Sequence, residues 1–414
     1  MSGSKLFLMI VVALMATVPA RADVLFHKGG TGECSGCHTT APALKGSDAS
    51  STCLLCHQAP VGEQMPAGIY VATDARTGGV LCAQLSPGGD FCWLKKTYAW
   101  QNASYSAQQN SSLGEGHGHN IVAFDFDYKA ATTLQAAPGG IYPSTALSCI
   151  SCHDPHGNYR RNADGTITTS GAPIVASGSY NNSPDPTATG AVGTYRLLAG
   201  KGYQPKSLAG GYAFTADPPA AVAPSLYNRP ETISDTRVAY GSGMSEWCQN
   251  CHPAIHNDGG AFVSQHPVGS DARLTMDVIN NYSFYLFTGN LTGSRDAAYT
   301  SMVPFEMGTK DYSILKGTAN STNANRSGPQ NGANVMCLSC HRAHASGWDS
   351  ITRWNMNSEF LVYNGLYPGI DNYSPPAYAQ GRRAAETRKT FYDRPVGAYS
   401  PFQRSLCNKC HVKD

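Results

Sequence analysis

The chain has few charged residues for its length. Asp, Glu, Lys and Arg make up 14% of its 414 residues, whereas an average protein has about 25%. Its 30 basic and 28 acidic residues leave a formal net charge of +2. Without a basic excess the sequence provides no electrostatic surface for nucleic acid, and we expect no nucleic-acid partner. A weakly charged surface repels its own copies poorly, which favours self-association.

The chain also lacks a long apolar segment after its first residues. An apolar run at residues 6–18 follows Lys5 and precedes the small residues Ala20 and Ala22. This pattern is typical of a secretory signal peptide, and the run is short for a bilayer span. The alternative is an N-terminal membrane anchor. We expect a signal peptide at residues 1–22, a secreted protein that is extracellular or at the cell surface, and no membrane span.

Regular secondary structure should be scarce as well. The 43 Gly and 25 Pro make up about 16% of the chain, above the usual share of about 12%. No linker composition and no long repeat divides the sequence. We predict one continuous domain over residues 23–414, mostly irregular coil with short helices and few short strands. The best helix candidate spans residues 270–289, with Ser270 or Asp271 as its cap, and short helical turns are expected in "MSEWCQNCH" and "FQRSLCNKCH".

Twelve of the 14 cysteines belong to one short unit, Cys-x-x-Cys-His, which occurs six times. Random placement predicts about 0.015 copies of this c-type haem attachment pattern. Two cysteines at this spacing form thioether bonds to one haem, and the histidine that follows binds its iron. Zinc sites would need paired half-sites and would leave that histidine unexplained. We therefore predict six covalent haems c, with thioether bonds at Cys34, Cys37, Cys53, Cys56, Cys149, Cys152, Cys248, Cys251, Cys337, Cys340, Cys407 and Cys410, and proximal iron ligands His38, His57, His153, His252, His341 and His411.

Six irons need six second ligands, and the histidines outside the motifs nearly match that number. Bis-histidine ligation is therefore expected at most or all irons. Methionine is the alternative second ligand, but histidines suffice, so the methionines are interpreted as packing residues. The seven histidines outside the motifs are His27, His117, His119, His156, His256, His266 and His344.

Short spacings limit which histidines can share an iron. Two histidines on opposite sides of one iron have α-carbons roughly 12 Å apart, given metal–nitrogen bonds of about 2 Å. Three extended residues reach only about 10–11 Å. His344 therefore cannot share an iron with His341, and His156 cannot share one with His153. Such second histidines must bind neighbouring haems, so the haems should form a connected array. His117 and His119 are two residues apart, so they cannot share an iron either.

Two cysteines stand outside the motifs. Cys82 and Cys92 flank "AQLSPGGDF", in which residues 87–89 are turn formers. We predict short strands beside this turn and a disulfide between the two cysteines.

The motifs resemble those of the OmcS-like family of extracellular, nanowire-forming hexahaem c-type cytochromes. The resemblance rests on the six haem motifs and on "GHN", "SCHDPHG", "GYQPKSLAG", "APSLYNRPET", "RVAYGSGMSEWCQNCH", "CLSCHRAHASG" and "CNKCHVKD", and it covers nearly the whole mature chain. It implies a coil-rich fold wrapped around a linear array of six haems. It also implies a homopolymeric filament that exchanges electrons with other outer-surface or periplasmic cytochromes and with extracellular acceptors such as iron(III) oxides.

The resemblance further implies a set of distal ligands, with one departure. A family member has a histidine three residues after its first motif and donates it to a haem of the adjacent subunit, but Ala41 stands at that position here. Either His27 or His117 is then the sixth distal ligand, or the ligation between subunits is lost. The distal ligands implied by the family are His119, His156, His256, His266 and His344.

Together these features predict an electron carrier rather than an enzyme. The first alternative is a monomeric multihaem reductase in which one haem has an open site for substrate. The second is a haem store or a metal-binding structural fibre, which would exchange electrons slowly along the array.

Overall fold

Turns and unassigned backbone make up most of the residues that the computed structural model describes. The structure describes residues 34–60, 69–76, 79–102, 109–224, 238–255, 267–285, 303–319 and 329–411. The predicted signal peptide lies outside these described residues. None of the helices in the described ranges has the length and apolar character that a membrane crossing requires. The predicted coil-rich fold with short helices and few short strands is confirmed.

The helices are short, and several coincide with the cysteine motifs. The helical turns predicted for "MSEWCQNCH" and "FQRSLCNKCH" are confirmed as α3 and α9. The best capped of the set is α2, in which the Asp48 carboxylate accepts a hydrogen bond from the Ser51 N–H at 2.8 Å. In the described ranges the helices are α1 Cys34–Cys37, α2 Ala49–His57, α3 Met244–Cys248, α4 Met276–Phe284, α5 Tyr312–Thr318, α6 Cys337–Cys340, α7 Pro376–Ala379, α8 Ala384–Thr390 and α9 Cys407–Cys410.

The strands have two or three residues each and cannot organise a core. The largest sheet of the described chain has the order β8-β7-β10-β9, in which β10 runs antiparallel to β7 and parallel to β9. The pairs β1-β2, β5-β6 and β11-β12 are antiparallel, and β3-β4 is parallel. The strands are β1 His38–Thr40, β2 Ala43–Leu44, β3 Gln58–Ala59, β4 Ala72–Thr73, β5 Tyr98–Trp100, β6 Asn110–Ser112, β7 Arg160–Arg161, β8 Ile167–Thr168, β9 Ile174–Ala176, β10 Ala191–Gly193, β11 Ala221–Val222 and β12 Ala239–Tyr240.

Buried apolar side chains form several small clusters instead of one core. Three of the clusters in the described chain pack against a motif cysteine, namely Cys149, Cys248 and Cys340. The apolar contacts therefore gather around the predicted attachment sites. A haem has a large apolar face, so a haem bound at each motif would join these clusters.

Only part of the helix predicted over residues 270–289 forms. Helix α4 begins after Thr275, whose hydroxyl caps it, and its predicted C-terminal end lies outside the described residues. The predicted cap at Ser270 or Asp271 is wrong. Residues 269–274 instead pair with residues 333–335 through backbone hydrogen bonds of 2.9 and 3.0 Å. This tertiary pairing outweighs the local helix signal.

The disulfide between Cys82 and Cys92 is present, with α-carbons 5.5 Å apart. The strands predicted beside its turn do not form, because a buried carboxylate binds the backbone groups in their place. Asp90 accepts hydrogen bonds from the N–H groups of Thr73 and Cys92, each at 2.9 Å, and from the N–H of Gln84 at 3.0 Å. The loop is thus built around one side chain and has no cross-strand ladder.

The loop should lose stability when that carboxylate is removed. Asp90 is 1% exposed, and Asp90→Ala leaves several buried donors without an acceptor. We expect the free energy of unfolding to fall by about 2–4 kcal/mol. Thermal denaturation of the holoprotein followed by circular dichroism measures the change. Asp271 lies on the surface, and Asp271→Ala should change stability by no more than about 0.5 kcal/mol. Equal denaturation midpoints for the two variants would contradict this role of Asp90.

Candidate haem-binding sites

Four of the six Cys-x-x-Cys-His motifs have both cysteines on one short helix, namely α1, α2, α6 and α9. In the other two, Cys149 begins a 3₁₀ turn that ends at Ser151, and Cys248 ends α3. On a helical turn, two cysteines three residues apart lie on the same face. None of the twelve motif cysteines takes part in a disulfide. The arrangement presents two sulfurs and one imidazole together, as haem c attachment requires. The N–H of the motif histidine donates to the carbonyl of the first cysteine at 2.9–3.0 Å in four motifs, those of His153, His252, His341 and His411.

The motif histidines are oriented by their Nδ1 atoms. A carbonyl oxygen can only accept a hydrogen bond, so each Nδ1 carries the proton, and Nε2 is the nitrogen that can bind a metal. This is the orientation that iron ligation by Nε2 needs. The carbonyl acceptors are Pro42 for His38 at 3.2 Å, and Ile69 for His57, Arg196 for His153, Pro138 for His252 and Ser350 for His341, each at 2.8 Å.

Two pairs of imidazoles face each other at the separation that an iron between them requires. The ring centroids of His153 and His344 lie 6.4 Å apart, and those of His119 and His252 lie 6.2 Å apart. With metal–nitrogen bonds of about 2 Å, two imidazoles on opposite sides of one metal have centroids roughly 6.3 Å apart. Each pair combines a motif histidine with one that is remote in sequence. The residues therefore fit two bis-histidine haem irons.

The two remote histidines come from backbone segments that pair with each other. We call residues 117–119 and 343–346 the ligand ladder. Within it, the His119 N–H donates to the His344 carbonyl at 2.9 Å, and the His119 Nδ1–H donates to the Ala343 carbonyl at 2.7 Å. Gly118 and Ala345 form an antiparallel bridge. One short ladder therefore positions two histidines that each face the histidine of a different motif.

Glycine at position 88 allows the backbone to approach His344. A Cβ added to Gly88 would lie 2.8 Å from the Nδ1 atom of His344, and the Phe91 ring stacks on the same imidazole with centroids 4.8 Å apart. The sequence assigned this glycine to a hairpin turn. Nothing in the sequence indicates its contact with a histidine more than 250 positions away, so this part of the site was missed.

Burial keeps the imidazoles of His119 and His344 neutral. Desolvation is the largest cause, and it lowers the pKa of His119 to about 4 and the pKa of His344 to about 3. Neighbouring imidazoles add to this effect: His252 and His341 lower the pKa of His119, and His153 lowers that of His344. The neutral imidazole is the form that binds a metal.

The side chain of His117 has a different environment from that of His119. Its side chain is fully buried, and its Nδ1–H donates to the Trp93 carbonyl at 3.0 Å. Its Nε2 lies 2.7 Å from the Ser112 hydroxyl and 3.4 Å from the Arg382 guanidinium. Both ring nitrogens are thus engaged by protein groups. This geometry suits a structural histidine and does not suit an iron ligand.

The attachment sites follow one another through the fold in sequence order. The cysteine side chains of the second and third motifs are in hydrogen-bonding contact, as are those of the fourth and fifth. In the other consecutive motifs one cysteine is close enough to raise the pKa of the next: Cys56 raises that of Cys37, Cys251 that of Cys152 and Cys407 that of Cys340. The five neighbouring pairs are Cys37–Cys56, Cys53–Cys149, Cys152–Cys251, Cys248–Cys337 and Cys340–Cys407.

Of the remaining predicted distal ligands, His156 is the one that lies among the described residues, and no pairing with another imidazole is found for it there. His156 is exposed in a turn, where its N–H donates to the Asp154 carboxylate at 3.1 Å. His27, His256 and His266 lie outside the described residues.

Comparison with known proteins identifies close relatives. No known family model matches the chain. The chain is 48% identical over 438 aligned residues to the C-type cytochrome OmcS of Geobacter sulfurreducens, with 100% of this chain and 99% of that protein covered. The cryo-EM structure of the OmcS nanowires from the same organism has a TM-score of 0.85, and the structure of its outer membrane cytochrome S filament has one of 0.84. Each is 48% identical and matches 94% of this chain and 100% of its own.

The contrast between His117 and His119 can be tested by the spin state of the haem irons. In His119→Ala one iron loses a ligand, so the oxidised protein should gain a high-spin ferric EPR signal of about one haem per chain. His117→Gln should keep the low-spin spectrum, because its ring nitrogens bind protein groups. A pyridine haemochrome assay must first show equal haem content in both variants. A high-spin signal in His117→Gln, or none in His119→Ala, would reverse the assignment.

Proposed function

Because the chain belongs to the family of the c-type cytochrome OmcS, we propose that it is an extracellular electron-transfer protein whose six covalent haems c form one continuous conduit. Covalent attachment of haem c itself follows from the family. The observation that carries the proposal is the facing of His153 with His344 and of His119 with His252 at 6.4 and 6.2 Å. It supports closed, bis-histidine irons, which are suited to passing electrons.

The residues supply ligands for all six irons. His344 would bind the iron of the haem at Cys149 and Cys152, and His119 would bind that of the haem at Cys248 and Cys251. With His117 held by hydrogen bonds, six histidines remain outside the motifs for six distal positions. The sixth distal ligand is then His27, donated within the chain or to a neighbouring copy. The full distal set is His27, His119, His156, His256, His266 and His344.

Continuity follows from how the chain links its motifs. Bound haem supplies a one-electron Fe(III)/Fe(II) couple. His341 and His344 are joined by a short peptide but would bind different irons, so this peptide ties two haems together. The cysteines of consecutive motifs are neighbours throughout the described sites. Both features support an unbroken series of haems from the first motif to the sixth.

The relatives whose structures were solved are a nanowire and a filament, and we extend that assembly to this chain. Copies of the chain would polymerise, with residues 1–22 removed on export and residues 23–414 forming one domain. Electron donors would be other outer-surface or periplasmic cytochromes. The acceptors would be extracellular oxidants such as iron(III) oxides. The low share of charged residues is compatible with close packing of copies.

The alternative functions are less well supported. A reductase with an open-site haem would need an iron that has one protein ligand. Two pairs of facing imidazoles instead suit irons with two ligands each, and the remaining histidines would suffice for the other irons. A haem store or structural fibre would not require consecutive attachment sites. The proposed protein is therefore an electron carrier and not an enzyme.

Electron microscopy and EPR together test the proposed function. Negative-stain images of the purified native protein should show filaments, and the oxidised protein should contain six haems per chain, all low-spin. Dithionite should reduce all six rapidly. Monomeric particles with a high-spin signal of about one haem per chain would instead establish the reductase. Filaments whose haems reduce slowly and incompletely would favour the structural fibre.

A further inference from the structure

Glu306 is a buried acid that the electron-transfer site does not use. Its side chain is 0% exposed. Its Oε1 accepts a hydrogen bond from the Met244 N–H at 2.8 Å, while its Oε2 has no hydrogen-bond partner among the described residues. An unpartnered carboxylate oxygen in a protein interior is costly when the group is charged. The cost disappears when that oxygen carries a proton.

The position of Glu306 is fixed between two haem motifs. Its backbone pairs with Asn334 through hydrogen bonds of 3.0 and 2.9 Å, three residues before Cys337. Its carboxylate holds the first residue of α3, the helix that ends at Cys248. The cysteine side chains of these two motifs are in contact. The acid therefore lies beside the junction of the fourth and fifth attachment sites.

The groups around Glu306 favour its neutral form. The carboxylate of Glu246 on α3 repels a charged Glu306. The Oε1 atom of Glu246 accepts a hydrogen bond from the Ser270 N–H at 2.7 Å. The Oε2 atom of Glu246 has no hydrogen-bond partner in the described chain. The other titratable or charged groups on the packed elements are Tyr240, whose strand forms a β-bridge with Glu306, and Arg273, which is exposed and forms a β-bridge with Asn334. The sulfur of Cys337 also lies near Glu306, but it does not ionise once it is bound to haem.

The balance of these interactions places the titration of the Glu306 carboxyl near neutral pH. Burial, the largest cause, raises the pKa of Glu306 to about 7; the N–H groups of Met244 and Ser245 oppose this rise, and Glu246 adds to it. Unfolded glutamate has a pKa of about 4.3. The charged and neutral forms are therefore both populated at neutral pH, so a nearby change of charge can shift the balance between them.

We propose that Glu306 takes up a proton when a haem attached at Cys248 or Cys337 is reduced and releases it on oxidation. The inference rests on the haem attachment proposed above. One electron, from a neighbouring haem or an external reductant, converts Fe(III) to Fe(II), and one proton from solvent forms an O–H bond on the carboxylate. The added negative charge and the added proton balance.

The direction of the pH effect on the haem reduction potential follows from thermodynamic linkage between the proton and the electron. Reduction favours the protonated acid, so protonation favours reduction by the same free energy. Below pH 6 the acid is mostly protonated in both redox states and adds little pH dependence. As the pH rises through 7, the acid ionises and the haem becomes harder to reduce. Full coupling of one proton to one electron shifts the potential by about 59 mV for a tenfold change in proton concentration.

Spectroelectrochemical titration of the holoprotein at pH 6 and pH 8 tests the inference. In the native protein, one or two of the haems should have a lower potential at pH 8. Glu306→Gln keeps an oxygen for the Met244 N–H but cannot ionise, and it should lose that shift. The matched control is Glu359→Gln, because the Glu359 side chain is 49% exposed; it should keep the native pH dependence. Haem content of six per chain must be shown for all three proteins.

A second measurement guards against a variant that folds poorly. The reduced-minus-oxidised infrared difference spectrum of the native protein should show a protonated carboxyl band near neutral pH that is absent in Glu306→Gln. A correctly loaded Glu306→Gln with the full native pH dependence would overturn the inference while leaving the electron-transfer function intact. A haem count below six in the native protein would instead overturn the proposed function.

Discussion

The backbone pairing of residues 117–119 with residues 343–346 is the constraint on which the rest of the site depends. These segments are more than 220 positions apart, and their pairing sets His119 beside His344. Each of these histidines then faces a motif histidine from another region of the chain. In the Cys149 motif, His153 and His156 are too near in sequence to bind the same iron. Under the proposed ligation, the sharing of ligands between distant segments would therefore hold the haems close together.

The scarcity of regular structure follows from the same dependence. Small apolar clusters pack against the attachment cysteines. The apolar faces of bound haems would complete these clusters, so the chain does not need a conventional hydrophobic core. In places a single side chain binds the backbone groups that a β-ladder would otherwise pair. Asp90 gathers the backbone donors of the disulfide loop, and Gly88 lets that loop lie against the ring of His344. The loop, the ladder and the iron ligand thus form one unit.

The sequence predicted the chemistry better than the geometry. Cofactor attachment, coil content and the bond between Cys82 and Cys92 depend on residue type and short spacing, which are visible in one chain. The start of α4 was wrong because pairing with residues 333–335 is a tertiary contact without a local signal. The sequence also left open whether His27 or His117 is the sixth distal ligand. His117 and His119 are two residues apart, and only the polar network around His117 distinguishes the environments of the two side chains.

The most direct measurement is a cryo-EM map of the native holoprotein that resolves the axial ligands of every iron. The account predicts that His344 and His153 lie on opposite sides of the iron of the haem at Cys149 and Cys152. It also predicts His119 opposite His252 at the haem of Cys248 and Cys251, with His117 away from every iron. A map in which His344 shares an iron with a different motif histidine, or in which His117 binds one, would contradict the account.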